Sequence, residues 1–333
     1  MADTKLIVII GITGNQGSSV ANIFLSLPGW RIRGITRDPS SAAALAWKSK
    51  NVELVQGDVD DIPSLKRAFS GASSIFAVTN FWGHMFDPSN YPKAQQAGLS
   101  INEFAYQREI SQGMNMAVAA SAPEILSTLT HFVFSSLSNA KKWSRGKYTQ
   151  NWHFDGKAVV TDRIRAELPG LAAKLSIVQV GTYASNWKNV VGRPLKQDDG
   201  SFLISIPAGQ SSPIPWIVVD QDTGIFVKAL VEQPAGKTVL ALSEWATWTG
   251  FWTLWSEVLG LKTEFKEVSP SEYVESLPEP ARAEFLESML YSNEFGYTGG
   301  DPDVLSLPDL DSQAKPTGLR EYMETEDWSP LME

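Results

Sequence analysis

The chain contains no cysteine and only three histidines, His84, His131 and His153. The first absence excludes disulfides, thiolate nucleophiles and Cys-ligated metals, and the second argues against a His-rich metal centre. A basic surplus is missing too. Lys and Arg number 28 against 37 Asp and Glu, for a formal net charge of −9 and a pI near 5.0. Such a balance offers no broad surface to nucleic acid or to an anionic membrane, so direct DNA contact is not expected. No apolar run approaches the roughly 18 residues of a membrane span. The opening MADTKLIVIIG carries too short an apolar run for a secretory leader. The expected location is the cytoplasm.

What remains is a soluble, globular composition, 43% hydrophobic and 20% charged over 333 residues. That length is ample for a large core. Tryptophan is plentiful: six of the twelve lie between Trp216 and Trp328.

The hydrophobic pattern alternates between strand and helix. KLIVIIG (5–11) reads as a buried strand, apolar on both faces as a central parallel strand should be. Helical spacing follows over 18–27, a strand over 31–37, a helix over 41–49, a strand over 52–58 and a helix over 62–71. Further strands are expected at 73–80, 130–136 and 175–181, with a long helix over 101–120 and another over 157–168. This rhythm implies right-handed βαβ units and a doubly wound parallel sheet. After about residue 190 loops lengthen and Pro and Trp rise. The expected fold is therefore α/β: a Rossmann sheet over 1–190 with a smaller, interleaved C-terminal α+β lobe over 191–333. A segment near 216–243, a helix and then a strand, is expected to return to the Rossmann sheet.

GITGNQG places Gly11, Gly14 and Gly17 between the first strand and the first helix. Glycine is needed there because the backbone turns tightly and approaches a pyrophosphate, whose charge sits on the unpaired amides of the helix N-terminus. The strand before and the helix after make the pattern specific for a dinucleotide. At the end of the second strand the acidic residue that selects NAD is replaced by Arg37, in ITRDPS. A guanidinium forks onto a 2′-phosphate, which points to NADP(H). Asp58, in QGDVDD, is expected near the adenine, and Thr79 and Asn80 near the nicotinamide ribose.

With GITGNQG, TRDPS, VQGDVDD, VTNFW and HFDGK in one order, the chain resembles the NmrA-like family of atypical short-chain dehydrogenases. The resemblance covers about residues 5–243 well and the last quarter loosely. It implies an NADP(H)-binding Rossmann domain with a cleft against a smaller lobe. It also implies cofactor contacts from Gly11, Thr13, Gly14, Asn15, Gln16, Gly17, Arg37, Asp58, Thr79, Asn80, Lys157 and Tyr183 of the GTYASN turn. A longer loop over 83–109, a missing lysine near position 111 and the tryptophan cluster depart from the family pattern.

HFDGK keeps the Tyr-x-x-x-Lys spacing of short-chain dehydrogenases with His153 in place of the tyrosine. Within the family this replacement is common, and related reductases also manage without tyrosine. Lys157 is expected to bond the ribose and orient the nicotinamide, or, with a lowered pKa, to exchange a proton with substrate. His153 and Tyr183 are further acid–base candidates, as are Tyr148 and the serines at 135 and 136. EWATWTGFWTLW spaces Trp245, Trp248, Trp252 and Trp255 along one expected helical face. That face either packs the small lobe or, with Trp187 and Trp216, walls a pocket for a large flat ligand. The pattern points to an oxidoreductase acting on a bulky apolar or heteroaromatic metabolite, with redox-assisted isomerisation or cyclisation as a variant. The alternative is a non-catalytic NADP(H)-sensing regulator with a protein partner.

Overall fold

A computed structural model describes residues 4–188 and 193–332. Its frame is one eight-stranded sheet. The strands are β1 (Lys5–Ile10), β2 (Trp30–Thr36), β3 (Glu53–Gln56), β4 (Ser74–Ala77), β5 (His131–Ser136), β6 (Leu175–Val180), β7 (Thr238–Ala241) and β8 (Val304–Leu305). Across the sheet the order is β8-β7-β6-β5-β4-β1-β2-β3, and every neighbouring pair is parallel. Ile7 of β1 lies between Ile32 of β2 and Ser74 of β4. The order reverses between β1 and β4, the place where a doubly wound sheet opens a crevice at its carboxyl edge.

Successive side chains of a strand point to opposite faces, and β1 divides accordingly. Leu6, Val8 and Ile10 join one buried cluster with Phe69, Phe132 and Phe134. Ile7 and Ile9 join another with Phe24, Phe76 and Phe226. Helices Ile101–Ala120 and Trp152–Glu167 cover the first face, and Asn15–Leu25 and Val219–Val231 the second. The segment 216–243 thus contributes a helix and then strand β7, paired to β6. Strand β8, from the last part of the chain, adds one more edge.

The small lobe has two three-stranded sheets. One joins Thr182–Tyr183, Ile214–Ile217 and Glu244–Ala246, the other Leu195–Lys196, Phe202–Pro207 and Thr263–Val268. Helix Trp248–Leu259 closes them, capped by the Thr247 side chain at one end and by Gly260 in the left-handed region at the other. Trp245 belongs to a strand and not to this helix, because the Thr247 cap starts the helix two residues later. Among the described residues no helix is long and apolar enough to cross a membrane.

Candidate functional site

The glycine loop lies at the carboxyl end of β1, beside the reversal in strand order. Gly11 adopts φ +69°, a conformation that other residues rarely reach. A Cβ on Gly17 would stand 2.2 Å from the Gly11 carbonyl oxygen, so no side chain fits there. Helix Asn15–Leu25 starts from Gly14 with no side-chain cap and no acidic residue in its first turn. Its unpaired amides and positive dipole end are therefore open to an anion. Thr13, Gly14 and Asn15 are exposed, whereas Gln16 is buried. Gln16 Nε2 donates to the Tyr183 hydroxyl at 2.7 Å, while its Oε1 is buried without a partner. Burial raises the Tyr183 pKa, and the Gln16 bond only partly offsets this.

Arg37 is exposed at the end of β2, and its side chain makes no hydrogen bond among the described residues. The neighbouring Asp38 is turned away: its Oδ1 accepts from the Ser40 amide at 2.8 Å and from the Ser40 hydroxyl. The guanidinium thus stays uncommitted at the carboxyl end of β2. Asp58 accepts the Asp60 amide at 2.9 Å, and Asn80 caps the short helix Phe81–Met85 by accepting from Gly83 N at 3.0 Å.

The centre of the site is a buried charge cluster. Lys157 Nζ donates to Thr79 Oγ1 at 3.0 Å and forms an ion pair with Glu109 Oε1. Glu109 is wholly buried; the same oxygen accepts from Thr79 Oγ1 at 2.7 Å and from the Phe81 amide at 3.1 Å. Its Oε2 has no partner. A buried carboxylate is tolerated only when paired and hydrogen-bonded, and here three donors, from the loop after β4, the start of the short helix that follows it and the lysine helix, converge on one oxygen. Gly156 permits the approach, since a Cβ there would meet Glu109 Oε2 at 2.8 Å.

One turn before Lys157, His153 Nδ1 pairs with Glu284 of helix Glu279–Phe295. Glu284 is fully buried and also accepts the amides of His153 at 2.9 Å and Trp152 at 3.1 Å. This explains why the lysine helix begins at Trp152 and not near 157: a carboxylate from a distant helix satisfies its first amides. Asp155, two residues on, accepts the Lys141 amide at 3.0 Å, and burial pushes its pKa up to about 6.

The sequence-expected residues thus divide. Gln16 and Tyr183 meet directly, as do Thr79 and Lys157; Arg37, Asp58 and Asn80 line the same carboxyl edge without touching them. Ser136 is tied to Thr161 at 3.1 Å, and the Tyr148 hydroxyl donates outward to Glu294 at 2.7 Å. Glu109, Glu284, Asp155 and Trp82 were not singled out from sequence. For Glu109 a signal exists: it occupies the buried stripe Ile101, Ala105, Glu109, Gln112, Met116, Ala120 of its helix, where a lone charge demands a partner.

The tryptophans expected to wall a pocket are mostly buried in packing. Trp216, Trp252 and Trp255 are buried against one another and Phe251; Trp216 stacks on Phe251 at 4.1 Å, and Trp252 meets Trp255 edge-on at 5.5 Å. They fill the lobe's core, so packing leaves Trp216 and Trp252 no open face for a ligand. Trp187 stacks on Trp328 at 4.6 Å and edges a cleft of about 340 Å³ whose other walls are Lys188, Arg193, Glu326, Asp327 and Pro330, none from the Lys157 cluster. Trp248 is half-buried against Trp216, and Trp245 is 50% exposed. Beside the charged cluster stand other rings. Trp82 lies 4.9 Å from both His153 and Phe285, and 5.8 Å from Phe86, which is half exposed.

Comparison with known proteins agrees with this architecture. The chain is 28% identical over 258 residues to the NmrA-like family domain-containing oxidoreductase cpsB of Aspergillus campestris, covering 73% of this chain and 69% of that one. It is 26% identical over 315 residues to the oxidoreductase hkm9 of Aspergillus hancockii, covering 90% and 87%. The crystal structure of NmrA, a negative transcriptional regulator, in complex with NADP superposes with a TM-score of 0.72 at 20% identity, over 97% of this chain and 95% of that one. The model of the NmrA-like family matches residues 3–328, and the chain belongs to that family.

Proposed function

We propose that the protein is an NADP(H)-dependent oxidoreductase acting on a bulky apolar or heteroaromatic small molecule, of the kind made in secondary metabolism. The observation that carries this reading is the alignment of two features on one sheet edge. An uncapped glycine-loop helix presents unpaired amides, and a lysine ammonium is held beside Thr79 by a buried carboxylate. The family relatives named above are oxidoreductases, which supports the same class.

The residues present fit NADP(H). Gly17 lets the first helix turn press against the Gly11 carbonyl, where any Cβ would clash; Gln16 keeps a buried unpaired oxygen, and Arg37 is uncommitted. Gly11, Thr13, Gly14, Asn15, Gln16 and Gly17 would hold the pyrophosphate. Arg37 would take the 2′-phosphate, Asp58 the adenine side, and Thr79, Asn80, Lys157 and Tyr183 the nicotinamide end. When bound, the cofactor supplies hydride. Lys157, anchored by Glu109 and Thr79, serves to bind and orient as an ammonium; Tyr183 serves to hold Gln16 in place. Residues 1–190 form the cofactor half and 191–333 the lobe that closes over it, with the span near 216–243 belonging to the sheet. The substrate sits on the Trp82 side of that lobe, where rings flank the charged cluster. Redox-assisted isomerisation or cyclisation uses the same site.

Calorimetric titration with NADPH, NADP⁺ and NADH, using Arg37→Ala as control, tests the reading. Tight, Arg37-dependent NADPH binding followed by NADPH consumption with aromatic carbonyl or imine substrates supports it. Failure to bind any dinucleotide sinks it. Tight binding of NADP⁺ alone, without turnover, replaces it by a sensor acting on a protein partner.

A further inference from the structure

We infer that Glu284, from the C-terminal lobe, is a positioning residue that turns His153 into the proton donor of this site. The inference rests on the reductase reading above. Glu284 is completely inaccessible to solvent, yet its two oxygens take three donors, all from the first residues of the lysine helix. Two of these are backbone amides, which lock the start of the helix against the carboxylate. The third is His153 Nδ1, and a carboxylate in contact with one ring nitrogen dictates that this nitrogen carries the proton.

The consequence is at the other nitrogen. His153 Nε2 makes no hydrogen bond among the described residues and is not sealed from solvent. The residue lies four positions before Lys157, so both side chains project from one face of the helix, about 5–6 Å apart at Cβ. The ring packs against Trp82 at 4.9 Å and edge-on to Phe154 at 4.8 Å, contacts that restrict its rotation. Glu284 on the C-terminal helix, with Asp155 and Lys157 on the ring's own helix, are the charged groups around it. The remaining neighbours Phe81, Trp82 and Phe154 are uncharged.

A ring fixed at Nδ1 and open at Nε2 is suited to a single proton transfer. Reduction of a carbonyl needs hydride at carbon, from a reduced nicotinamide, and a proton at oxygen. As the C=O π pair moves onto oxygen, the Nε2–H of the imidazolium is given up to it. The neutral imidazole left behind keeps Nδ1–H on the Glu284 carboxylate. Nε2 then regains a proton from solvent, and the balance is one hydride and one proton for each carbonyl converted to an alcohol.

The test has a spectroscopic and a kinetic arm. With only three histidines, ¹⁵N-histidine spectra are assignable by the loss of one signal set in His153→Gln. In neutral imidazole the expected His153 state is Nδ1–H with bare Nε2, opposite to the tautomer free histidine prefers. Glu284→Gln should shift the population toward Nε2–H. An Nε2–H tautomer in the wild type, or one indifferent to Glu284, overturns the dyad while leaving the reductase reading intact. In the kinetic arm, NADPH oxidation is followed with menadione, a bicyclic quinone. His153→Gln should lower kcat by about 100-fold or more, and Glu284→Gln by a smaller factor, with calorimetric NADPH affinity unchanged in both. Glu284→Asp, which retains the carboxylate, should recover part of the loss. Unchanged kcat in His153→Gln overturns the proton-donor role. A wild type that binds NADPH tightly but reduces neither menadione nor other carbonyls overturns the reductase reading, and the proton-donor role with it.

Discussion

The small lobe and the Lys157 site are both built around tryptophan, yet the rings do different work. In the lobe, Trp216, Trp252 and Trp255 are almost completely buried, and each packs against at least two other rings. Around the site, Trp82 is half-buried and Phe86 half exposed, and the rings pack around a histidine next to two buried ion pairs. The first region is held by dispersion and apolar burial, which is indifferent to pH. The second encloses Glu109, Lys157, Asp155 and Glu284, whose cost of desolvation must be met by specific partners. A count of aromatic residues therefore does not locate a pocket.

The contrast is open to test at several strengths. Trp255→Ala, in the apolar core, should cost about 3–5 kcal/mol of stability and leave dinucleotide affinity unchanged, as read by urea unfolding and calorimetry. In the charged region Lys157→Met leaves Glu109 buried and alone, and a loss of about 3–5 kcal/mol is expected. The double change with Glu109→Gln should recover much of that loss; equal losses in single and double variants would show that the two groups are not coupled.

A pH series separates the regions next. Asp155 has a native pKa raised to about 6 from 3.8, so between these values the folded chain binds the additional proton. Its contribution is present below pH 3.8 and is lost as pH rises through about 6. Stability should fall over that window by about 2–3 kcal/mol, and Asp155→Asn should flatten the decline. Trp82→Ala should cost less than the core tryptophan, about 1–2 kcal/mol, while abolishing retention of aromatic ligands. If both tryptophans cost the same, the distinction between the regions fails. Arg37→Ala, on neither cluster, should alter stability by no more than about 0.5 kcal/mol but weaken NADPH relative to NADH by at least about tenfold.

Much of the frame was legible because it obeys local rules. The apolar run of β1, the glycine spacing after it and the βαβ rhythm each depend on residues close in sequence. The place of Arg37 at the end of β2 was legible for the same reason, since it stands at a fixed offset from the glycine loop. The lysine helix was read as starting at 157, five residues late, because its first amides are satisfied by Glu284, more than a hundred residues away. The aromatic spacing of EWATWTGFWTLW marked a helical face correctly from Trp248 onward, but periodicity cannot say whether a face meets a ligand or another ring.

The sequence by itself determined the parallel sheet, the dinucleotide loop and the Lys157 position, since strand pattern, glycine sterics and motif spacing are properties of short segments. Only the tertiary structure decided which charges pair and which rings remain accessible. Glu109 with Lys157, and Glu284 with His153, are 48 and 131 residues apart. Such partners are chosen by the need to neutralise a charge once burial has removed it from water, and that need exists only after the chain has closed around them.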